Sequence, residues 1–292
     1  MSDHTGPQTI LFARGFVMSC VTAAPFRFVQ VILLMSMLVS TPCGGQETSK
    51  TDPATEKAVE KLAPLLQQLR DAKSTRATVE LSAETIVDGA VISSEKSTYQ
   101  VASGLPGKFT IYLKDEKQRS RIFCDGKQTV IAFSPTAYTD GGEPIALQQA
   151  VFDLPIALGP YPEAILSLTL AGIDPGLTWT EGMKSIRVVG NESFRGQTPA
   201  VHLEGLQDDL VRWNLWMSRE SPPKPLRLRV DLTEMLRENG ALELPKSYRY
   251  MLRFDFKYWA VDQPASDALF QFRKTSGAKR FESVEAYLNR DQ

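Results

Sequence analysis

From residue 75 onward, hydrophobic and polar positions alternate in run after run, and that period of two is the signature of half-buried β-strands. In "TRATVELSAETIVDG", Ala77, Val79, Leu81, Ala83 and Val87 share one face. Arg76, Glu80, Glu84 and Asp88 share the other. Asp88-Gly89 is a hairpin signal, so a return strand over 90–102 follows. Pro106 and Gly107 make a turn, after which Phe109, Ile111 and Leu113 alternate. Strands at 121–124 and 129–133 flank Asp125-Gly126. Further strands are predicted at 186–189, 200–204, 209–218 and 226–231. The plainest alternation is "YRYMLRFDFKYW". It puts Tyr248, Tyr250, Leu252, Phe254, Phe256 and Tyr258 on one face. Arg249, Met251, Arg253, Asp255, Lys257 and Trp259 fall on the other.

Other segments carry a helical period. Val59, Leu62, Leu66 and Leu69 recur at spacings of three and four, behind a capping Asp52 and a first-turn Pro53. Pro64 is placed to kink or break this helix. A proline-interrupted helical stretch spans roughly 144–171, a short helix 233–239, and a docking segment with a terminal helix closes the chain. About ten strands joined by short turns make an antiparallel sheet. A sheet of that width curls or closes, and its apolar face needs a cover, for which the helical segments are available. The predicted class is therefore mainly β (α+β): a broad antiparallel sheet of about ten strands, curled or closed, with covering helices.

The strand "RWNLWM" poses a particular question. Trp213 and Trp216 are three residues apart, so they point to opposite faces. Trp213 shares its face with Val211, Leu215 and Met217, and Trp216 lies on the other with Arg212, Asn214 and Ser218.

The first 45 residues follow another logic. Phe28 to Val39 is an uncharged run of 12 residues, preceded by Arg14 and Arg27 and followed by "STPCGGQ". That is the pattern of an export signal and too short for a membrane span. Met18 is an alternative start. The organisation is then a signal peptide over 1–45, a linker over 46–55 and one domain over 56–292. Cys43 offers the alternative of lipidation, which would tie the protein to a membrane; Pro42 beside it departs from the bacterial lipoprotein pattern.

Composition narrows the chemistry. A formal net charge of -1 gives no basic footprint for nucleic acid. Past residue 45 there is one cysteine, Cys124, and one histidine, His202, so neither an internal disulfide nor a zinc cluster is predicted. Cys124 reads as a small buried strand residue. Ser93 and Lys96 have Ser-x-x-Lys spacing, but in a strand residues three apart face opposite ways, and that chemistry needs a helix. His202 in "PAVHLEG" reads as a structural strand histidine. Arg227, Arg229, Arg249, Arg253 and Lys257 read as a solvated outer face. No cofactor and no catalytic residue is predicted, and a hydrolase using carboxylates alone ranks last.

Several stretches together resemble a known family. A helix leads into a long first strand, "CDGKQTVIAF" follows a hairpin, and "VGNESFRGQTPAVHL" opens a strand pair. "WNLWMSRESPPKPLRLRV" runs through a Pro-rich loop into an Arg-rich strand, and "LFQFRKTSGAKRF" closes the series. Over roughly 56–284 this resembles domain of unknown function 2092, a family of periplasmic bacterial proteins. That family is similar to the lipoprotein carriers LolA and LolB and to the sensor RseB. The resemblance implies a half-barrel whose concave face holds acyl chains, in a periplasmic or cell-envelope protein that is not an enzyme. Phe109, Ile111, Leu113, Trp213, Leu215, Leu252, Phe254 and Phe256 are the concave-face candidates, with a lipid, acyl chain or lipoprotein as partner. The alternative is a structural, interaction or sensor protein of the envelope with a filled core.

Overall fold

A computed structural model describes residues 52–104, 107–114, 119–142, 170–172, 183–238 and 244–290. The signal-peptide and Cys43 expectations, and nearly all of the helical stretch predicted at 144–171, lie outside these residues. All the described residues belong to one compact unit, Lys50–Gln292.

Helix α1, Pro53–Asp71, begins where Asp52 accepts a hydrogen bond from the Ala54 backbone N–H at 3.3 Å. Pro64 lies inside it and the helix continues past, so the predicted break does not occur. Its buried stripe is Ala58, Leu62, Leu65 and Leu69, with Val59 and Leu66 at the margin.

The strands are β1 (Ser74–Val87), β2 (Ala90–Gly104), β3 (Lys108–Lys114), β4 (Arg119–Asp125), β5 (Thr129–Ser134) and β6 (Ala137–Gly142). After them come β7 (Met183–Phe194), β8 (Thr198–Gln207), β9 (Arg212–Ser218), β10 (Pro225–Asp231), β11 (Arg249–Val261) and β12 (Lys279–Phe281). A short helix α2, Thr233–Glu238, precedes β11, and α3, Val284–Leu288, follows β12. All twelve strands form one open, curved sheet in the order β12-β6-β5-β4-β3-β2-β1-β11-β10-β9-β8-β7. Every pairing is antiparallel except that of β12 with β6. The half-barrel class holds, with two strands more than the alternation reveals. β6 carries two glycines and β12 has three residues, so neither displays a readable period.

One face assignment is corrected. Thr78 pairs with Tyr258, but Val79 pairs with Phe256, so Lys257 is an extra residue on β11. This β-bulge reverses the alternation beyond it. Trp259, assigned to the polar face, is turned into the core at 8% exposure, while Tyr258 is 49% exposed. Trp259 then donates its Nε1–H to the Leu170 carbonyl at 2.6 Å, and the Thr75 hydroxyl donates to the Ala171 carbonyl at 2.7 Å. These two bonds pin the 170–172 turn against the end of β1. Gly172 adopts φ +87° there, and a Cβ would lie 2.1 Å from the Thr75 hydroxyl, so only glycine fits.

The core is the concave face of the sheet plus the apolar stripe of α1, joined in one cluster with Leu170, Ala171 and Val284.

Candidate functional site

The concave face is built from cross-strand rows. Leu81, Phe254, Leu228, Leu215 and Leu203 are successive register partners across β1, β11, β10, β9 and β8. A neighbouring row runs Ala83, Leu252, Val230, Trp213 and Gly205. On the other half, Ala77, Val101, Ile111, Ile122 and Ile131 line up from β1 to β5. Alternate residues of every strand thus merge into one apolar surface.

Seven of the eight predicted residues, Phe109, Ile111, Leu113, Trp213, Leu215, Leu252 and Phe254, are buried, at 6% exposure or less. Phe256 is partly buried and packs against the same cluster. They fall in two groups, one on β3 and one on β9 and β11, bridged by Val79, Tyr99 and Val101 on β1 and β2. Sequence reasoning left out Leu228 and Val230, which sit at the middle of the face; the arginines alternating with them drew attention to the wrong side of β10. Tyr99, fully buried, was hidden among the polar residues of β2. Gly205 was also missed. It lies opposite Trp213, and a Cβ there would come within 2.2 Å of the indole, so the ring occupies the space of the absent side chain.

The convex face over β1, β10 and β11 is polar and tightly paired, whereas over β4 to β6 it carries a small apolar cluster of Val130, Ala132 and Tyr138. Asp255, 7% exposed, receives Arg227 at 2.7 Å, Arg195 at 3.1 Å and Arg253 at 3.5 Å. Lys257 faces Glu80 at 2.8 Å, and Arg253 also reaches Glu84 at 3.3 Å. Trp216 answers the question of the second tryptophan. Its register partner on β10 is Arg227, but its ring stacks on His202, with centroids 4.2 Å apart, and its Nε1–H donates to Glu192 at 3.0 Å. His202 Nδ1 lies 2.7 Å from the other Glu192 oxygen and Nε2 lies 2.8 Å from Asn214 Oδ1. The hydrogen bonds from Trp216 and His202 hold the Glu192 carboxyl below the ordinary carboxylate value. Both ring nitrogens of His202 are engaged, which leaves neither to activate a nucleophile. Ser93 and Lys96 lie within β2, where their register partners are Thr85 and Ser82. Cys124 is buried, its thiol 3.3 Å from the Gly107 carbonyl. Among the described residues no group of three or more His, Cys, Asp or Glu is arranged to hold a metal ion.

An open, almost wholly antiparallel sheet with a largely polar convex side and a covered apolar concave side defines a half-barrel protein of the kind the resemblance implies. The chain belongs to the family described as predicted periplasmic protein (DUF2092), whose pattern matches residues 58–283. Its place is accordingly the periplasm. Among curated proteins, none matches. Solved structures with a similar fold include a Vibrio parahaemolyticus domain assigned by inference to outer membrane lipoprotein sorting, at 11% identity and TM-score 0.35, covering 74% of this chain and 97% of that one. A LolA superfamily protein from Nitrosomonas europaea is similar at 14% identity and TM-score 0.32, covering 73% and 97%. MucB is similar at 16% identity and TM-score 0.31, covering 75% and 64%.

Proposed function

We propose that the protein is an exported, non-catalytic carrier or sensor that receives a lipid, a free acyl chain or the acyl chains of a lipoprotein on its concave face. The observation that carries this reading is the continuous apolar face itself. It runs across β1 to β5 and β8 to β11, and the described segments packed against it are α1, the 170–171 turn and the short helices α2 and α3, not a second sheet. Phe109, Ile111, Leu113, Trp213, Leu215, Leu252, Phe254 and Phe256 line the receiving surface. Burial of the first seven means that a ligand enters only when a segment packed over the face moves aside. Residues 1–45 act as the export signal, a short linker leads into α1, and the chain from α1 to residue 292 is the working domain. Lipidation at Cys43 is the alternative to simple cleavage and adds membrane attachment.

The same burial favours a second reading, a structural or interaction protein of the envelope whose core stays filled. Organic extraction of natively purified protein, followed by mass spectrometry, separates the two. The carrier reading expects a fatty-acyl species in near-stoichiometric amount. Extracts free of such species, from protein purified without detergent, contradict it.

A further inference from the structure

The opposite, convex face of β1 to β5 carries a groove that the acyl-chain reading does not use. Two cavities of about 280 and 320 Å³ adjoin there, sharing Tyr112 and Arg121 in their linings. The groove follows from side-chain size along the register. Arg76, Ala102, Thr110 and Phe123 are successive partners from β1 to β4. The neighbouring row is Tyr258, Thr78, Gln100, Tyr112 and Arg121. Small residues at Ala102 and Thr110 leave a trough beside the taller Gln100 and Tyr112. The C-terminal segment supplies the far wall. Leu269 borders the smaller cavity, and Phe272 borders the larger, its ring 5.7 Å from Phe123 and 5.0 Å from Tyr138. Phe270 anchors that wall against Gly104, where a Cβ would sit 3.1 Å from the ring.

The charges in this groove are uncompensated. Around Asp255 each arginine faces a carboxylate, and Arg280 faces Asp140 at 3.0 Å. Arg76 and Arg121, both half-buried, face none among the described residues. Arg76 donates from Nη2 to the Pro264 carbonyl at 2.8 Å, and its Nε is buried without a hydrogen-bond partner. Arg121 lies over the rings of Tyr112 and Phe123, at 5.0 and 5.5 Å, and makes no ion pair among the described residues. A half-buried guanidinium has lost part of its hydration without gaining a counter-charge, and its planar fork suits a carboxylate or phosphate. Phe123, Ala132, Pro135 and Phe272 make the adjoining cavity apolar.

We propose that this groove binds a small amphiphilic anion, with its carboxylate or phosphate head between Arg76 and Arg121 and its apolar body along Phe123 and Phe272. The site is distinct from the concave face and stands whether or not that face takes an acyl chain. Isothermal titration with dodecyl phosphate and with dodecanoate, both below their micelle concentrations, tests it on the wild type and on Arg76→Gln, Arg121→Gln and Phe254→Ala. At least one of the anions binds with saturation, and the tighter one identifies the head group. Each arginine change weakens that binding roughly tenfold, the loss of one charge-assisted contact. Arg121→Lys, which keeps the charge, retains more affinity than Arg121→Gln, and Phe254→Ala leaves the arginine-dependent binding unchanged. Arg121 makes no hydrogen bond to the fold among the described residues, so matched melting curves for wild type and Arg121→Gln are expected. Absence of saturable binding by both anions overturns the proposal. So does equal binding of neutral dodecyl maltoside, or indifference of the anion affinity to both arginine changes.

Discussion

Two tryptophans on one strand show how far single residues decide this structure. Trp213 is fully buried and rests where Gly205 has no side chain. Gly205→Ala forces a methyl group into the indole and should cost about 1–3 kcal/mol by denaturation, as overpacking does. Trp216 is held on the other face by Glu192 and His202. Glu192 supplies a pH-dependent part of stability. Its folded pKa lies below the ordinary 4.5, so the unfolded chain takes up the proton first as pH falls. The contribution is therefore whole above about pH 4.5 and is lost as pH drops through the folded value. Chemical denaturation of wild type and Glu192→Gln at pH 7 and pH 4 should show their stability difference shrinking at the lower pH. A difference that does not shrink contradicts this role. The two-faced placement of the tryptophans was readable from spacing alone. The His202 stack and the Gly205 vacancy were not, because each depends on which residue of another strand lies opposite.

At the scale of elements, alternation located the long strands because each has one dry face. Phe109, Ile111 and Leu113 on β3, and Leu252, Phe254 and Phe256 on β11, kept their predicted side. The pattern failed where the backbone departs from strict pairing. At Lys257 one inserted residue sends Trp259 inward and Tyr258 out, and no local sequence signal marks it. Deleting Lys257 would restore unbroken alternation, expose Trp259 and break its bond to Leu170. The deletion should lower the thermal midpoint, whereas a rise would show the bulge to be dispensable. Helix α1 follows its period, yet its deepest residues are Ala58, Leu62, Leu65 and Leu69, one position off the predicted stripe at both Val59 and Leu66. Leu65→Ala should cost about 2–5 kcal/mol, the range for a buried leucine left as a cavity. A cost well below that would mean that α1 is loosely seated.

For the molecule as a whole, sequence patterning was enough to give a wide sheet because most of its twelve strands turn an apolar side to one shared core. It could not give the state of that face, since a filled core and a ligand-receiving surface demand the same alternation. Phe254 is fully buried in the present structure, so Phe254→Ala should cost about 3–5 kcal/mol. Export adds a further expectation: mass spectrometry of protein from its native host should find the mature chain beginning near Gln46. An intact 1–45 segment would refute the signal. The central claim is that the concave face admits an acyl chain, and titration of a fluorescent fatty acid against wild type and Phe254→Ala tests it most directly. Saturable binding that weakens in Phe254→Ala but persists in Arg121→Gln is the predicted result. Absence of saturable binding, or binding indifferent to Phe254, would contradict it.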